Sequence, residues 1–336
     1  MSQTRDMAPT GSEPPILIIE KLSVTFTGGA KPVRAVDDVD LTLDAGEVVA
    51  LLGESGSGKS VTLRSILRLH DARKTSVSGH IHVDGVDVMS LRPDALAAFR
   101  GKSVAMIFQE PMLALDPVYT VGAQIIEALR RHDAVSHADA RARALELFER
   151  VRIPSPVRRL DAYPHEMSGG MRQRAMIALA LSCRPRILLA DEPTTALDAT
   201  VQIQILLLLR ELQSELGLSI IFVTHDIGVG VEVANRIAVM YAGRIVELGP
   251  VRDVIRQPRH PYTIGLLSTR GAGGRLTGRR LPSIPGSPPD LSNLPPGCAF
   301  APRCQFVTDA CRVAAPAPQV VQPGHSVRCI RVDALT

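Results

Sequence analysis

The chain has 336 residues, 45% of them hydrophobic but only 3% aromatic, with no Trp and a formal net charge of +4. That length exceeds one typical domain and allows a large core. The absence of any apolar run of about 18 residues argues against a membrane-spanning helix. So small a net charge makes no electrostatic case for nucleic acid. In chain order, residues 1–15 are polar, lack the apolar segment of a signal peptide, and read as a disordered N-terminus. Residues 16–50 alternate β-like runs with Gly and Asp turns, which predicts a small antiparallel β subdomain.

Residues 48–52 are a short apolar run, the pattern of a buried strand. The next residues, G-E-S-G-S-G-K-S from Gly53 to Ser60, fit the phosphate-binding loop G-x-x-x-x-G-K-[ST]. Glycines let successive backbone N–H groups turn inward around phosphate. The candidate nucleotide residues are therefore Gly53, Glu54, Ser55, Gly56, Ser57, Gly58, Lys59, Ser60 and Val61. Lys59 supplies a point charge to the outer phosphates, and Ser60 supplies a hydroxyl to Mg²⁺. Residues 61–69 read as a helix whose positive N-terminus faces the same phosphates.

Residues 124–151, rich in Ala, Arg, Leu and Glu, predict one long helix. M-S-G-G-M-R-Q from Met167 precedes a helical run at 171–181, so Ser168, Gly169 and Gly170 expose N–H groups to an anion. Cys183 reads as a structural residue in the turn before the next strand. An apolar strand at 187–192 ends in two carboxylates. Asp191 is placed to hold Mg²⁺, and Glu192 to orient or deprotonate an attacking water. The plain alternative is an acidic cap for the following helix. Residues 201–216 read as a helix, with the apolar stretch 203–209 buried inside it. His225 follows another apolar strand, 219–223, and could reach a γ-phosphate, although a lone His is more often structural.

After about residue 250 the composition changes. Residues 270–336 hold eight Arg against three Asp, ten Pro and four Cys. Such a segment cannot build much core by packing, and Cys298, Cys304, Cys311 and Cys329 read as a staple. The lack of a signal peptide and of a spanning run predicts a cytosolic protein, a setting that argues for metal rather than disulfides. Gaps of five, six and seventeen residues match neither the common zinc pairs nor the ferredoxin run, so Zn²⁺, an iron–sulfur cluster and free thiols all stay open.

Taken together, the loop, the Ser-Gly-Gly signature and the Asp-Glu strand end resemble the ATP-binding cassette (ABC) family over roughly residues 16–250. The resemblance implies an α/β fold: a RecA-like P-loop ATPase core with an antiparallel β subdomain and a helical signature subdomain at about 112–182. It also implies roles that spacing alone does not. Phe26 would stack on adenine, although it reads equally as a core aromatic of a strand. Gln109 would sense Mg²⁺ and the γ-phosphate. Ser168, Gly169 and Gly170 would meet the γ-phosphate held by a second subunit. Ala196, Leu197 and Asp198 would cross the dimer interface, and His225 would act as the switch histidine. Met167 and Met171 depart from the family's common Leu-Ser-Gly-Gly-Gln, but the Ser-Gly-Gly core is intact.

The stretch from Arg256 to Thr263, R-Q-P-R-H-P-Y-T, is similar to the C-terminal extension of ATP-binding subunits in oligopeptide and dipeptide importers. That branch implies residues 251–336 as an extension whose four cysteines hold a [4Fe–4S] cluster in some members, with zinc as the alternative. It implies an ATPase at the cytoplasmic face of the cell membrane, peripheral to it. The partners implied are a second, paralogous cassette, two transmembrane permeases and an extracytoplasmic substrate-binding protein. Nickel, haem or sugars remain alternatives to peptide as cargo. An exporter subunit, a non-transport ABC ATPase and a P-loop kinase fit less well. The extension argues against the first, a single cassette against the second, and the signature with His225 against the third.

Overall fold

A computed structural model of the protein describes residues 14–195, 197–271 and 284–334. Ala196 and residues 1–13 of the expected disordered N-terminus lie outside the described residues. Two sheets organise the first half. β1 (Leu17–Phe26) and β2 (Val33–Leu43) pair antiparallel. β4 (Thr75–Val83) and β5 (Val86–Asp87) complete a four-stranded sheet in the order β2-β1-β4-β5. β3 (Val48–Leu52) belongs instead to the second sheet, so the expected β subdomain loses its last strand. β1 does not alternate strictly. Its buried residues are Leu17, Ile19, Leu22 and Val24, because an irregularity after Ile19, with Lys21 at φ 49°, inserts one residue into the pattern.

The second sheet has eight strands in the order β11-β12-β10-β9-β3-β8-β7-β6. Its parallel part comprises β3, β6 (Val104–Ile107), β7 (Ile187–Asp191), β8 (Ser219–Thr224) and β9 (Arg236–Tyr241). β3, β7 and β8 are buried along their whole length, as parallel strands covered on both faces must be. β10 (Arg244–Pro250) runs antiparallel to β9, and β12 (His325–Val327) antiparallel to β10. β11 (Gln319–Gln322) forms the edge. Residues far beyond 250 thus continue the central sheet.

Helices fill the connections. α1 (Lys59–Ile66) follows β3 directly. It starts two residues earlier than expected and ends three earlier, because Arg68 adopts a left-handed conformation (φ 48°). α2 (Pro93–Lys102) and α3 (Pro111–Ala114) precede the larger helical region. There the long helix expected at 124–151 is two helices, α4 (Val121–His132) and α5 (His137–Arg150). The break is made by Ser136, whose hydroxyl accepts the N–H of Asp139 at 3.1 Å and caps α5. The short α6 (Pro156–Leu160) leads to α7 (Gly169–Leu181), capped by Ser168. Val121, Ile125, Leu129, Ala144 and Phe148 share one core with Ala175 and Met176 of α7. Cys183 lies just beyond α7, half-buried, with its thiol 3.7 Å from the Ala128 carbonyl.

α8 (Ala199–Leu216) is capped by Asp198 at one end and Gly217 at the other. Its apolar stretch is not buried throughout: Ile203 and Leu207 are each 58% exposed, while Ile205, Leu208 and Leu209 face the core. The helical period of 3.6 residues leaves any such run with an outward face unless both sides are covered. α9 (Ile227–Val233), α10 (Val251–Arg256), α11 (Pro261–Gly271) and α12 (Ala310–Val313) complete the chain. Tyr262 and Phe300 share a core with Ala50, Leu52, Ile237 and Tyr241 of the central sheet.

Candidate active site

Four parallel strands end side by side. Leu52 of β3 is paired with Thr224 of β8, Asp191 of β7 with Val223, and Ile107 of β6 with Ala190. The residues that follow these strand ends therefore meet in one crevice, the usual ligand position of an open α/β sheet. That places the phosphate loop, Asp191, Glu192, His225 and Gln109 together, although they span more than half the chain.

The loop follows β3 and is shaped by close backbone packing. A Cβ on Gly58, at φ 107°, would stand 2.4 Å from the Ala35 carbonyl oxygen, and one on Gly53 would stand 2.2 Å from that of Met240. No other residue fits at either position. Lys59 is 4% exposed and donates through Nζ to the carbonyls of Gly53 (2.8 Å) and Glu54 (2.9 Å). Burial lowers its pKa, an effect opposed by the nearby charges of Glu192, Asp191 and Glu54. The ammonium thus lies inside the curl of the loop, at the first turn of α1.

Ser60 Oγ donates to Asp191 Oδ1 at 2.7 Å, so two of the three expected Mg²⁺ ligands are brought together, while Gln109 lies on Glu192. The other carboxylate oxygen, Asp191 Oδ2, is buried with no hydrogen-bond partner. Burial raises the pKa of Asp191, and the Ser60 hydrogen bond works against that shift. A hydroxyl beside a carboxylate with one unpartnered oxygen is a donor set that suits a hard divalent cation.

Three groups converge on Glu192 Oε2: Thr195 Oγ1 donates at 2.8 Å, Gln109 Nε2 donates at 3.3 Å, and His225 Nδ1 lies 3.2 Å away. Glu192 adopts a left-handed conformation (φ 47°), sparsely populated for a residue with a side chain. Its N–H donates to the Val223 carbonyl, which ties this turn to β8. Backbone strain of this kind collects where a side chain must be aimed.

The remaining candidates stand apart from this cluster. Phe26, at the end of β1, is half-buried and meets the His70 ring edge-on at 5.7 Å. His70 in turn lies within hydrogen-bond distance of Ser65 Oγ (3.0 Å) in α1. Ser168 Oγ accepts the N–H of Met171 at 3.3 Å. Gly169 faces Leu197, and Gly170 faces Val201, so the signature packs beside the start of α8. Among the described residues, no hydrogen bond joins residues 168–170 to the phosphate loop. Asp198 Oδ1 accepts the N–H of Val201 at 3.0 Å and caps α8.

The four C-terminal cysteines meet around one small cavity of about 20 Å³, walled also by Phe300, Ala301 and Ile330. They are free thiols, and burial raises the pKa of three of them, pushing Cys329 up to about 11. Backbone N–H groups point at the sulfurs, as Arg331 does to Cys329 at 3.4 Å. Among the described residues, no set of three or more His, Cys, Asp or Glu side chains stands as a metal-holding group. The thiols therefore converge without forming a closed coordination shell.

Sequence reasoning missed two residues of the site. Tyr262 Oη accepts the N–H of Glu54 at 2.8 Å, and Arg303 pairs with the Glu54 carboxylate. Both lie more than 200 positions beyond the loop; Tyr262 falls in the R-Q-P-R-H-P-Y-T stretch noted above, but no local pattern ties it or Arg303 to the phosphates.

Comparison with known proteins bears on the family and the fold. A family model described as ABC transporter matches residues 36–195, and one described as the C-terminal region of oligopeptide/dipeptide transporters matches residues 246–311. A peptide import ATP-binding protein of Brucella abortus (strain 2308) is 53% identical over 332 residues, covering 95% of this chain and 98% of the relative. A Brucella melitensis protein of the same description is 52% identical with the same coverage. Among solved structures, a dimeric ATP-binding cassette in a post-hydrolysis state with ADP and phosphate superposes with a TM-score of 0.63. It is 32% identical and covers 70% of this chain and 99% of its own. A Clostridium perfringens subunit, cbiO1 of the transporter complex cbiONQ, has the same TM-score at 27% identity, covering 79% of this chain and 96% of its own.

Proposed function

This chain belongs to the ABC transporter family as an ATP-binding subunit, and from that premise we propose that it powers peptide import by hydrolysing ATP at the crevice described above. The observation that carries this reading is 53% identity over nearly the full length of a peptide import ATP-binding protein. It is joined by the match of residues 246–311 to the transporters' C-terminal region. The proposed organisation is a nucleotide-binding domain at 16–250, with its helical subdomain at about 112–182, and an extension at 251–336.

In this mechanism the loop N–H groups between residues 53 and 61 cradle the phosphates, apart from those of Glu54 and Ser57, which are taken by Tyr262 and by the Glu54 carbonyl, and Lys59 neutralises the outer oxygens. Ser60, Asp191 and Gln109 would hold Mg²⁺, which supplies charge neutralisation for the transferring phosphoryl group. Glu192, aimed by Thr195, Gln109 and His225, accepts a proton from the attacking water. Phe26 stacks on the base. Ser168, Gly169 and Gly170 serve a nucleotide held by the other cassette, and Asp198 lies at the dimer seam. Closure of the dimer is favoured because ATP binds the closed state better than the open one.

The partners proposed are a paralogous cassette, two permeases and an extracytoplasmic substrate-binding protein, with this subunit at the cytoplasmic face of the membrane. No helix among the described residues is long and apolar enough to cross a membrane, so attachment would run through the permeases. Met112, Val118 and Tyr119, all exposed and close behind Gln109, offer them an apolar surface. The test is uptake of labelled di- and oligopeptides by vesicles carrying the reconstituted transporter. ATP-dependent peptide uptake is the expected result, and uptake of nickel, haem or sugar without peptide would overturn the substrate assignment.

For the cysteines we propose that Cys298, Cys304, Cys311 and Cys329 hold a [4Fe–4S] cluster, with Zn²⁺ as the alternative occupant. A cluster there would supply a structural clip or a one-electron redox centre. Convergence of four thiols on one apolar cavity supports this, as do N–H groups directed at sulfur. The chain purified without oxygen is expected to contain iron and acid-labile sulfide near four each. One zinc would replace the cluster by a structural metal, and neither metal would remove the assignment.

A further inference from the structure

Glu54, the second residue of the phosphate loop, is gripped from the C-terminal extension at two points. Arg303 meets its carboxylate with both arms of the guanidinium, Nη1 to Oε2 at 2.7 Å and Nη2 to Oε1 at 3.0 Å. The Arg303 side chain is 6% exposed. Its Nε donates to the Pro285 carbonyl at 2.8 Å, which fixes the plane of the fork. Tyr262, fully buried, accepts the Glu54 N–H, so this one N–H of the loop is turned away from any phosphate. The Glu54 carbonyl takes Lys59 Nζ. Donor, acceptor and side chain of a single residue are thus shared between the extension and the ammonium that would meet the phosphates.

Both grips adjoin the cysteine segment: Cys298 and Cys304 pack against the core that contains Tyr262 and Phe300. Arg303 closes the short turn Ala301–Arg303, immediately before Cys304, and the cysteine cavity is walled by Phe300 and Ala301. Tyr262 is aimed by a buried network at the start of α11. Glu247 accepts the N–H groups of Arg259 (2.7 Å) and His260 (2.9 Å), and the Tyr262 N–H donates to His260 Nδ1 at 3.1 Å. Burial lowers the His260 pKa to about 4, so the ring stays neutral and Nδ1 free to accept. A second route starts from Cys329. Its neighbour Arg328 donates to the carbonyl and carboxylate of Asp38, at 2.9 and 3.0 Å. The next residue back, Asp37, donates its N–H to the Gly243 carbonyl, and the Gly243 N–H donates to Ser57 of the loop.

We propose that the extension is a working part of the nucleotide site: Arg303 and Tyr262 are positioning residues that hold the phosphate loop through Glu54 and couple the four-cysteine segment to ATP binding. The inference rests on the assignment of the loop as the ATP site. A buried ion pair kept for stability alone would move the melting temperature and leave affinity unchanged. A positioning pair moves affinity, and by linkage any change at the cysteine segment then changes it too.

The experiment measures the Kd of a fluorescent ATP analogue with Mg²⁺ for the full chain, alongside its thermal unfolding. Arg303→Met is expected to raise Kd about tenfold, within the range of about 5- to 150-fold typical of coupling between a remote contact and a binding site. Arg303→Lys should recover part of the loss, because it keeps the charge but not the fork. The double variant Arg303→Met with Glu54→Gln should be no worse than Arg303→Met, since the two act through one contact. Tyr262→Phe keeps the packed ring and deletes only the oxygen, so it reads the second grip even if Arg303→Met fails to fold. Cys304→Ser should shift Kd in the same direction by about threefold or more. Wild-type Kd in both Arg303→Met and Tyr262→Phe overturns the proposal. An unchanged Kd in Cys304→Ser alone overturns its coupling to the cysteines. Failure of the wild-type chain to bind the analogue would strike the ATP-site assignment instead.

Discussion

Glu192→Gln is expected to cut ATP turnover by about 10²- to 10⁴-fold, the range that a positioned general base contributes, while ATP still binds. The substitution preserves size and shape but removes the proton acceptor. Oε2 is the atom on which Thr195, Gln109 and His225 converge, so the loss falls on the one oxygen that the surrounding structure aims. Among the described residues, Glu192 makes no hydrogen bond to the phosphate loop, and Lys59 and Ser60 keep their own hydrogen-bond partners in the variant. The ATP-bound closed dimer should therefore accumulate, because closure depends on binding and reopening on hydrolysis. Phosphate release measures the first effect, and light scattering of the cassettes with ATP measures the second. Near-normal turnover in the variant would remove Glu192 from the mechanism.

Lys59→Met is expected to weaken MgATP binding by about 10²- to 10³-fold, the scale of truncating one partner of a buried, hydrogen-bonded charge pair. The new side chain has similar length and suits a buried position, so packing changes little. The ammonium holds the carbonyls of Gly53 and Glu54 and is the positive centre within the curl of the loop. Its deletion strands two acceptors and leaves the outer phosphates without their nearest cation. A titration with the fluorescent analogue reads the affinity, and thermal unfolding separates the cost to the fold. Affinity within a few-fold of wild type would show that backbone amides and Mg²⁺ suffice.

Much of the site was legible where a local pattern carries both conformation and chemistry. The strand at 48–52, the loop and the start of the next helix follow one another without a gap, and β7 and β8 were readable as continuous apolar runs. Ser168 and Asp198 each lie one residue before a helix and cap it. Legibility failed where two patterns of the same kind adjoin. The residues on both sides of Ser136 favour helix, so the cap that divides α4 from α5 was hidden between them. Ile203 and Leu207 read as buried because hydrophobicity shows no direction until a neighbour does or does not cover it.

The sequence by itself determined the chemistry of the loop, the paired carboxylates at a strand end and the four thiols of the C-terminal segment. Those properties reside in residue types at short spacing, and backbone periodicity carries them into strand, turn and helix. Only the tertiary structure decided which of them meet. The lateral order β3-β8-β7-β6 places Gln109 and His225 on one oxygen of Glu192, and strand order depends on pairings between distant segments. The extension reaches back across 208 residues from Tyr262 and 249 from Arg303 to hold Glu54. Contacts over such separations are set by how the sheets and helices pack, and a period of two or of 3.6 residues carries no record of them.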